Sequence, residues 1–281
     1  PRAAGHFDRV NEALYALLTS GDHLDREAIA EAAERFGVCP FELSLDLSEW
    51  CDIVICDYNY LFDPVVSLKR YFSEGKTDFT FLIDEAHNLV ERGREMFSAS
   101  LCKEDFLGLK RKLKGRYRKA ERCLERCNKY LLSLKKECDT WQLHEDVGAF
   151  VLQLLSLSTE LDRIREEGTE PELQQEILDF WFQIRDFLNT ADRLDENYVI
   201  YSELGGDGRF RLKLYCVETA KALRECLDKG NAAIFFSATL LPMPYYKHLL
   251  GEEDDYAVYA RSPFSPDKRL LLLGQDVSSR Y

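Results

Sequence analysis

The 281-residue sequence has no uninterrupted apolar run of about 18 residues, the length a helix needs to cross a bilayer. The opening Pro1-Arg2-Ala3-Ala4-Gly5 is not followed by the apolar core of a secretory signal. Membrane insertion and secretion are therefore not expected. Nine cysteines in so long a chain, without dense regular spacing, exclude a secreted disulfide scaffold and predict a reducing, cytoplasmic setting. Positive charge is also in short supply. Lysine and arginine number 37 against 50 aspartate and glutamate, giving a net charge of −13 and a pI near 5.0. A general nucleic-acid coat needs positive charge to neutralise phosphates, so only a local basic groove could hold a polyanion. The 46% of apolar residues suffices for sizeable cores, and the length allows about two domains.

Against these absences stands Asp84-Glu85-Ala86-His87, which follows at once on the apolar run Phe79-Thr80-Phe81-Leu82-Ile83. Such a run predicts a strand buried in a parallel sheet. Two carboxylates then fall at its carboxyl end, where open α/β sheets bind ligands. One is placed to hold the Mg²⁺ of a nucleotide and its neighbour to orient a water. The plainer alternative is that Asp84 and Glu85 cap a helix beginning near Ala86. Two further runs end the same way. Ile53-Val54-Ile55-Cys56 leads into Asp57-Tyr58-Asn59-Tyr60, and Ala233-Ile234-Phe235-Phe236 into Ser237-Ala238-Thr239. The short hydroxyls can bond a neighbouring carboxylate and so report the nucleotide state, or they simply close the strand as an ST-turn.

Along the chain, residues 7–36 predict two helices split near Ser20-Gly21-Asp22, and a further helix is expected from about Pro64 to Phe72. From Phe106 to Cys138 apolar residues recur in steps of three and four, predicting one very long helix unless Gly115 kinks it. The same rhythm runs from Leu143 to Ile164 and from Leu173 to Leu194, which makes an antiparallel bundle of three helices. Tyr198–Glu203 and Arg209–Cys216 flank Gly205-Gly206-Asp207-Gly208 and predict a hairpin leading back to the sheet. Short helices are expected at about Thr219–Leu227 and Tyr245–Leu250. Ser262-Pro263-Phe264-Ser265-Pro266 predicts a linker, and Leu270–Leu273 the opening of a further domain.

The Asp-Glu-Ala-His tetrapeptide, Ser237-Ala238-Thr239, the stretch from Cys51 to Pro64 and Cys39-Pro40-Phe41 together resemble the XPD/DinG-like (Rad3-related, DEAD_2-type) iron–sulfur superfamily 2 DNA helicases, in the right order over nearly the whole chain. The resemblance implies an α/β fold, a partial parallel-sheet RecA-like motor domain with an inserted all-α arch. It divides the chain into an iron–sulfur domain remnant at 1–39, motor domain 1 at 40–100 with the DEAH box, the arch at 101–197, the return of motor domain 1 at 198–261, and the start of motor domain 2 at 262–281. It implies a monomeric, ATP-dependent 5′-to-3′ helicase acting on single-stranded and forked DNA. Asp84 would hold Mg²⁺, Glu85 would activate water, and His87 with Ser237, Ala238 and Thr239 would couple nucleotide to DNA. Cys39 matches the last of four cysteines around a 4Fe–4S cluster. The other three cysteines and the phosphate-binding loop are not in the sequence. Gly75-Lys76-Thr77 mimics the loop's tail, but Arg70 stands where its first glycine belongs and the triplet precedes a strand. The expectation is an internal piece of a longer enzyme, inactive alone. A non-catalytic DNA clamp of helicase descent and a nuclease-linked relative remain the alternatives.

Lys110, Arg111, Lys112, Lys114, Arg116, Arg118, Lys119, Arg122 and Arg126 crowd the first bundle helix. They could hold a phosphate backbone, with Lys112, Arg116 and Lys119 as candidates, or form a solvated face paired with Glu160, Asp162, Glu166 and Glu167. Tyr58 and Asn59 are the candidates for exposed base contacts, against burial in the core. Cys123, Cys127, Cys138 and His144 lack metal-knuckle spacing and fit a seam of small apolar residues better. His6 has no evident partner in the sequence.

Overall fold

A computed structural model of the chain describes residues 5–21, 24–72, 75, 77–252 and 254–270. Three short helices come first: α1 (His6–Leu18), α2 (Arg26–Phe36) and α3 (Pro40–Ser48). Their boundaries follow from local chemistry. Asp25 caps α2 by accepting the Glu27 and Ala28 amides, Gly37 closes it in the left-handed conformation, and Pro40 opens α3 where its missing N–H costs nothing. Val10, Ala13, Leu17, Ala33, Leu43 and Leu47 form the core they share. The Arg9 side chain straps α1 to α2 by donating to the Phe36 and Gly37 carbonyls at 2.9 and 2.8 Å.

Next come α4 (Asn59–Phe62), β1 (Thr80–Ile83), α5 (Leu89–Met96) and β2 (Ala99–Cys102), then the helices α6 (Lys103–Leu113) and α7 (Arg118–Glu137). β3 (Trp141–His144) precedes the long helices α8 (Gly148–Glu167) and α9 (Pro171–Ala191). The hairpin β4 (Tyr198–Leu204) and β5 (Phe210–Cys216) follows, then α10 (Ala220–Leu227), β6 (Ala232–Phe235) and α11 (Met243–Leu250). β1 and β6 pair in parallel, with Ile83 opposite Phe235, although about 150 residues separate them. The helical bundle and the hairpin are therefore inserted between two strands of one sheet. The α/β class with a parallel sheet is what the sequence predicts, but the insertion is not all-α: it carries the four strands β2 to β5 besides its helices.

The bundle α6–α9 is centred on phenylalanines. Phe106 meets Phe180 edge-on at 4.9 Å, and Phe150 stacks on Tyr130 at 4.9 Å while reaching Phe187 at 5.9 Å. Leu101, Phe210, Leu212 and Leu214 extend this core onto one face of a second, antiparallel sheet of order β2-β5-β4-β3. Burial alternates strictly along β5, as expected of a strand with one face on a core.

Four further expectations are corrected, and the alternative left open at Gly115 is decided. The hairpin does not rejoin the parallel sheet; it pairs with β2 and β3, because those neighbours present the matching apolar face. The long helix is broken between α6 and α7, where Gly115 takes φ +77°. Leu143 lies on a strand opposite Tyr201, since Trp141–His144 alternates with period two and helix α8 begins only at Gly148. The segment 64–72 forms turns and a single 3₁₀ turn at Lys69–Tyr71, with α4 before it. Ile53–Cys56 joins no sheet: Ile53 and Ile55 are 81% and 95% exposed, and β1 has only β6 beside it among the described residues. An apolar run becomes a strand only where a ladder partner lies alongside. The expected opening of a second motor domain at 270–273 lies, beyond Leu270, outside the described residues, as does Lys76.

Candidate functional site

Parallel pairing places the ends of β1 and β6 side by side. The Phe236 amide donates to the Ile83 carbonyl at 3.0 Å and the Ala86 amide to the Phe236 carbonyl at 3.2 Å, so the two chains stay joined for one step beyond the strands. Asp84 and Glu85 leave one strand there and Ser237 the other. Glu85 takes the left-handed conformation at φ 48°, ψ 39°, the only non-glycine residue with positive φ among the described residues. That backbone costs a non-glycine residue about 1 kcal/mol or more. Its result is to turn the Glu85 side chain towards β6.

Ser237 is the hub. Its hydroxyl donates to Glu85 Oε2 at 3.2 Å, accepts from the Thr239 amide at 3.2 Å and lies 2.8 Å from His87 Nδ1. A hydroxyl offers one proton and two lone pairs, so these contacts are all satisfied when the imidazole carries its proton on Nδ1. His87 Nδ1 also lies 3.2 Å from Glu85 Oε2. Asp84 is exposed and accepts the Glu85 amide on Oδ1 at 2.7 Å, which leaves Oδ2 open to solvent. Asp84, Glu85, His87, Ser237 and Thr239 are thus brought together at one rim. Ala238 lies exposed between the hydroxyls and makes no side-chain hydrogen bond.

The fit to a metal can be tested on the donor set. No group of three or more histidine, cysteine, aspartate or glutamate residues among the described residues could hold a metal alone. Mg²⁺ bound with a nucleotide needs one or two carboxylates, the phosphates supplying the rest, and Asp84 fits that demand. A 4Fe–4S cluster needs four thiolates. Cys39 is half-buried at the start of α3, where its amide donates to Nδ1 of the buried His6 at 3.4 Å; the described residues do not form a cluster site around it.

The proposed nucleic-acid contacts are dispersed. Tyr58 is half-buried against the cluster that holds Ile83, Ala86 and Leu89, and Asn59 is half-buried with its Oδ1 unpartnered. Lys112 pairs with Glu176, and Arg116 with Glu170 at 3.5 Å. Lys119 is exposed and has no carboxylate partner among the described residues. The acids expected to answer the basic run mostly serve their own helix: Glu160 and Glu167 pair with Arg163, and Asp162 with Arg165. Glu125, Glu170 and Glu176 answer it instead, and Glu125 is held below the usual carboxylate range by Lys129 and then Lys110. Cys123 and Cys127 sit in the buried seam of α7, and burial, with Cys123 second, pushes the Cys127 thiol up to about 12. Cys138 points to the Ser202 carbonyl and His144 Nε2 lies 2.8 Å from the Ser202 hydroxyl, so neither waits for a metal.

The chain is thus an α/β protein with an acidic pair and a Ser-Ala-Thr segment at one carboxyl rim. The DEAD_2 family model matches residues 6–106 of the chain. The chain is 33% identical over 82 residues to the regulator of telomere elongation helicase 1 homolog of Anopheles gambiae, covering 29% of this chain and 8% of that protein. The Caenorhabditis elegans homolog of the same name is 26% identical over 147 residues, or 52% and 13% of the two chains. The Fanconi anemia group J protein homolog of Gallus gallus is 31% identical over 77 residues, or 27% and 6%. The chain thus aligns with only a small part of each curated relative. The solved structure of S. tokodaii Xpd4 superposes on 85% of this chain and 57% of its own, at 13% identity and a TM-score of 0.43.

Proposed function

We propose that the chain is the DEAH-bearing part of an ATP-dependent, Rad3-related DNA helicase that moves 5′ to 3′ in repair or replication. The observation that carries this is the Glu85–Ser237–His87 junction, in which groups from two strands about 150 residues apart in sequence share one carboxylate at the ligand-binding rim. Mg²⁺ bound there with a nucleotide would supply charge neutralisation at the phosphates. Asp84 offers the metal its open carboxylate oxygen. Glu85, exposed and steered by its backbone, orients the attacking water and accepts its proton. Ser237 and His87 hold Glu85 until the site fills, and Thr239, tied to Ser237 through its amide, passes any shift of that carboxylate into the segment after β6. Lys119 is free to meet DNA directly, whereas Lys112 and Arg116 would first have to exchange Glu176 and Glu170. No step routes through a cluster at Cys39.

The 281-residue chain carries no Gly-x-x-x-x-Gly-Lys-Ser/Thr loop and is expected to hydrolyse almost no ATP by itself. In the parent helicase, Glu85→Gln should keep nucleotide affinity within a few-fold while steady-state ATP turnover falls by about 10² to 10⁴. Turnover within a few-fold of the unsubstituted enzyme would remove Glu85 from this role.

A further inference from the structure

Between α7 and α8 lies an open groove of about 600 Å³, remote in sequence from the acidic rim and lined by four cations, Lys119, Arg122, Arg126 and Lys129, by Cys123 and Ser156, and by two acids, Glu125 and Glu160. Its acids each lie beside a cation, although the buried Glu160 Oε2 makes no hydrogen bond among the described residues. Glu125 lies 3.5 Å from Lys110 and 3.2 Å from Lys129, and Glu160 lies 3.0 Å from Arg163. Lys119, Arg122 and Arg126 have no carboxylate partner among the described residues, and the Arg126 guanidinium merely donates to Cys123 Sγ at 3.2 Å. In a chain of net charge −13 this is an uncompensated positive strip. From Lys119 to Lys129 it follows one face of a helix for roughly 15 Å.

The lining carries no aromatic or large aliphatic side chain. Protein partners anchor chiefly through such residues, and base recognition through stacking needs them too. What the groove offers instead is a row of cations, which fits evenly spaced phosphates; the Ser156 hydroxyl donates to the Leu152 carbonyl at 3.0 Å. We infer that the α7–α8 groove holds the sugar–phosphate backbone of single-stranded DNA without regard to sequence, and that Arg122 and Arg126 are its principal contacts. This rests on the DNA-acting role proposed above and moves the contact away from Lys112 and Arg116, whose charges are matched.

The test uses the whole 281-residue chain and a labelled oligothymidylate, with fluorescence anisotropy followed between about 50 and 200 mM NaCl in the absence of nucleotide. Three uncompensated cations predict a slope of log affinity against log salt of about −2, and the double variant Arg122→Gln/Arg126→Gln should lower its magnitude by about 1.4. Lys112→Gln/Arg116→Gln should leave the slope unchanged. Lys119→Gln, on the exposed surface, gives an independent reduction of about 0.7 should the double variant melt differently by circular dichroism. Equal slopes in all variants, no binding by the unsubstituted chain, or displacement of the oligonucleotide by polyglutamate at equal charge concentration would each overturn the assignment. Because nucleotide is absent, loss of this binding is distinguishable from failure of the Glu85 prediction.

Discussion

Glu85 shows how one backbone angle prepares a site. A left-handed glutamate is disfavoured, yet it alone turns the carboxylate to within hydrogen-bonding reach of Ser237. Ser237→Ala removes that contact together with those to His87 and the Thr239 amide, while Glu85 remains free to act on water. In the parent helicase, ATP hydrolysis should persist within a few-fold while strand separation falls by about tenfold or more, the scale of a coupling contact. Equal loss of both activities would place Ser237 in the chemical step. A second residue-scale prediction concerns Cys127. Its thiol is raised to about 12 in the folded chain, from the ordinary value of 9.0, so the folded state keeps a proton that the unfolded chain gives up. The stabilisation is therefore complete below pH 9, on the order of a few kcal/mol at most, and is lost as pH rises towards 12. Thermal melts should fall across that window, less steeply in Cys127→Ala, and identical pH profiles for the two proteins would contradict the burial argument.

At the scale of elements, Gly115 separates two helices that periodicity alone would fuse. No atom lies within 4 Å of where its Cβ would stand, so a substitution there meets only the backbone penalty of φ +77°. Gly115→Ala should cost about 1 kcal/mol, a fall in melting temperature of about 2 to 4 °C, and Gly115→Asn less. An unchanged or raised melting temperature would mean that α6 and α7 can run on as one helix. Most of the helical rhythm read over 106–138, 143–164 and 173–194 was legible because each element needs only its own residues to show an apolar stripe. Sheet membership was not. Ile53–Cys56 is as apolar as β1 but has no partner, whereas Trp141–His144 is polar in part and pairs with β4 through Gln142 opposite Ser202. Strand pairing is a property of two distant segments, and one segment cannot display it. The rim residues were legible for the opposite reason: Asp84-Glu85 and Ser237 each terminate an apolar run, and β1–β6 pairing brings those two termini together. The distribution of ion pairs along α7 was hidden, since nothing local tells Glu176 from Glu166 as the partner of Lys112.

For the molecule as a whole, a four-helix bundle and an antiparallel sheet are threaded between two strands that must still meet in register. The junction is held from several sides. Glu104 at the start of α6 accepts the Phe210 amide at 3.0 Å and Lys135 at 3.3 Å, and Arg94 of α5 donates to the Val217 carbonyl at 3.1 Å. A bundle so anchored can carry the proposed nucleic-acid groove in fixed relation to the acidic rim, as the motor role proposed above would require. The most direct test is a crystal structure of the proposed parent helicase with Mg²⁺ and a non-hydrolysable ATP analogue. The account predicts the metal at the carboxyl rim of β1 and β6, with Asp84 about 2.0 to 2.1 Å from it or bridged by one water, and the Glu85 carboxylate facing the γ-phosphate. A nucleotide bound elsewhere, with Asp84 and Glu85 still turned to solvent and Ser237 unmoved, would contradict it.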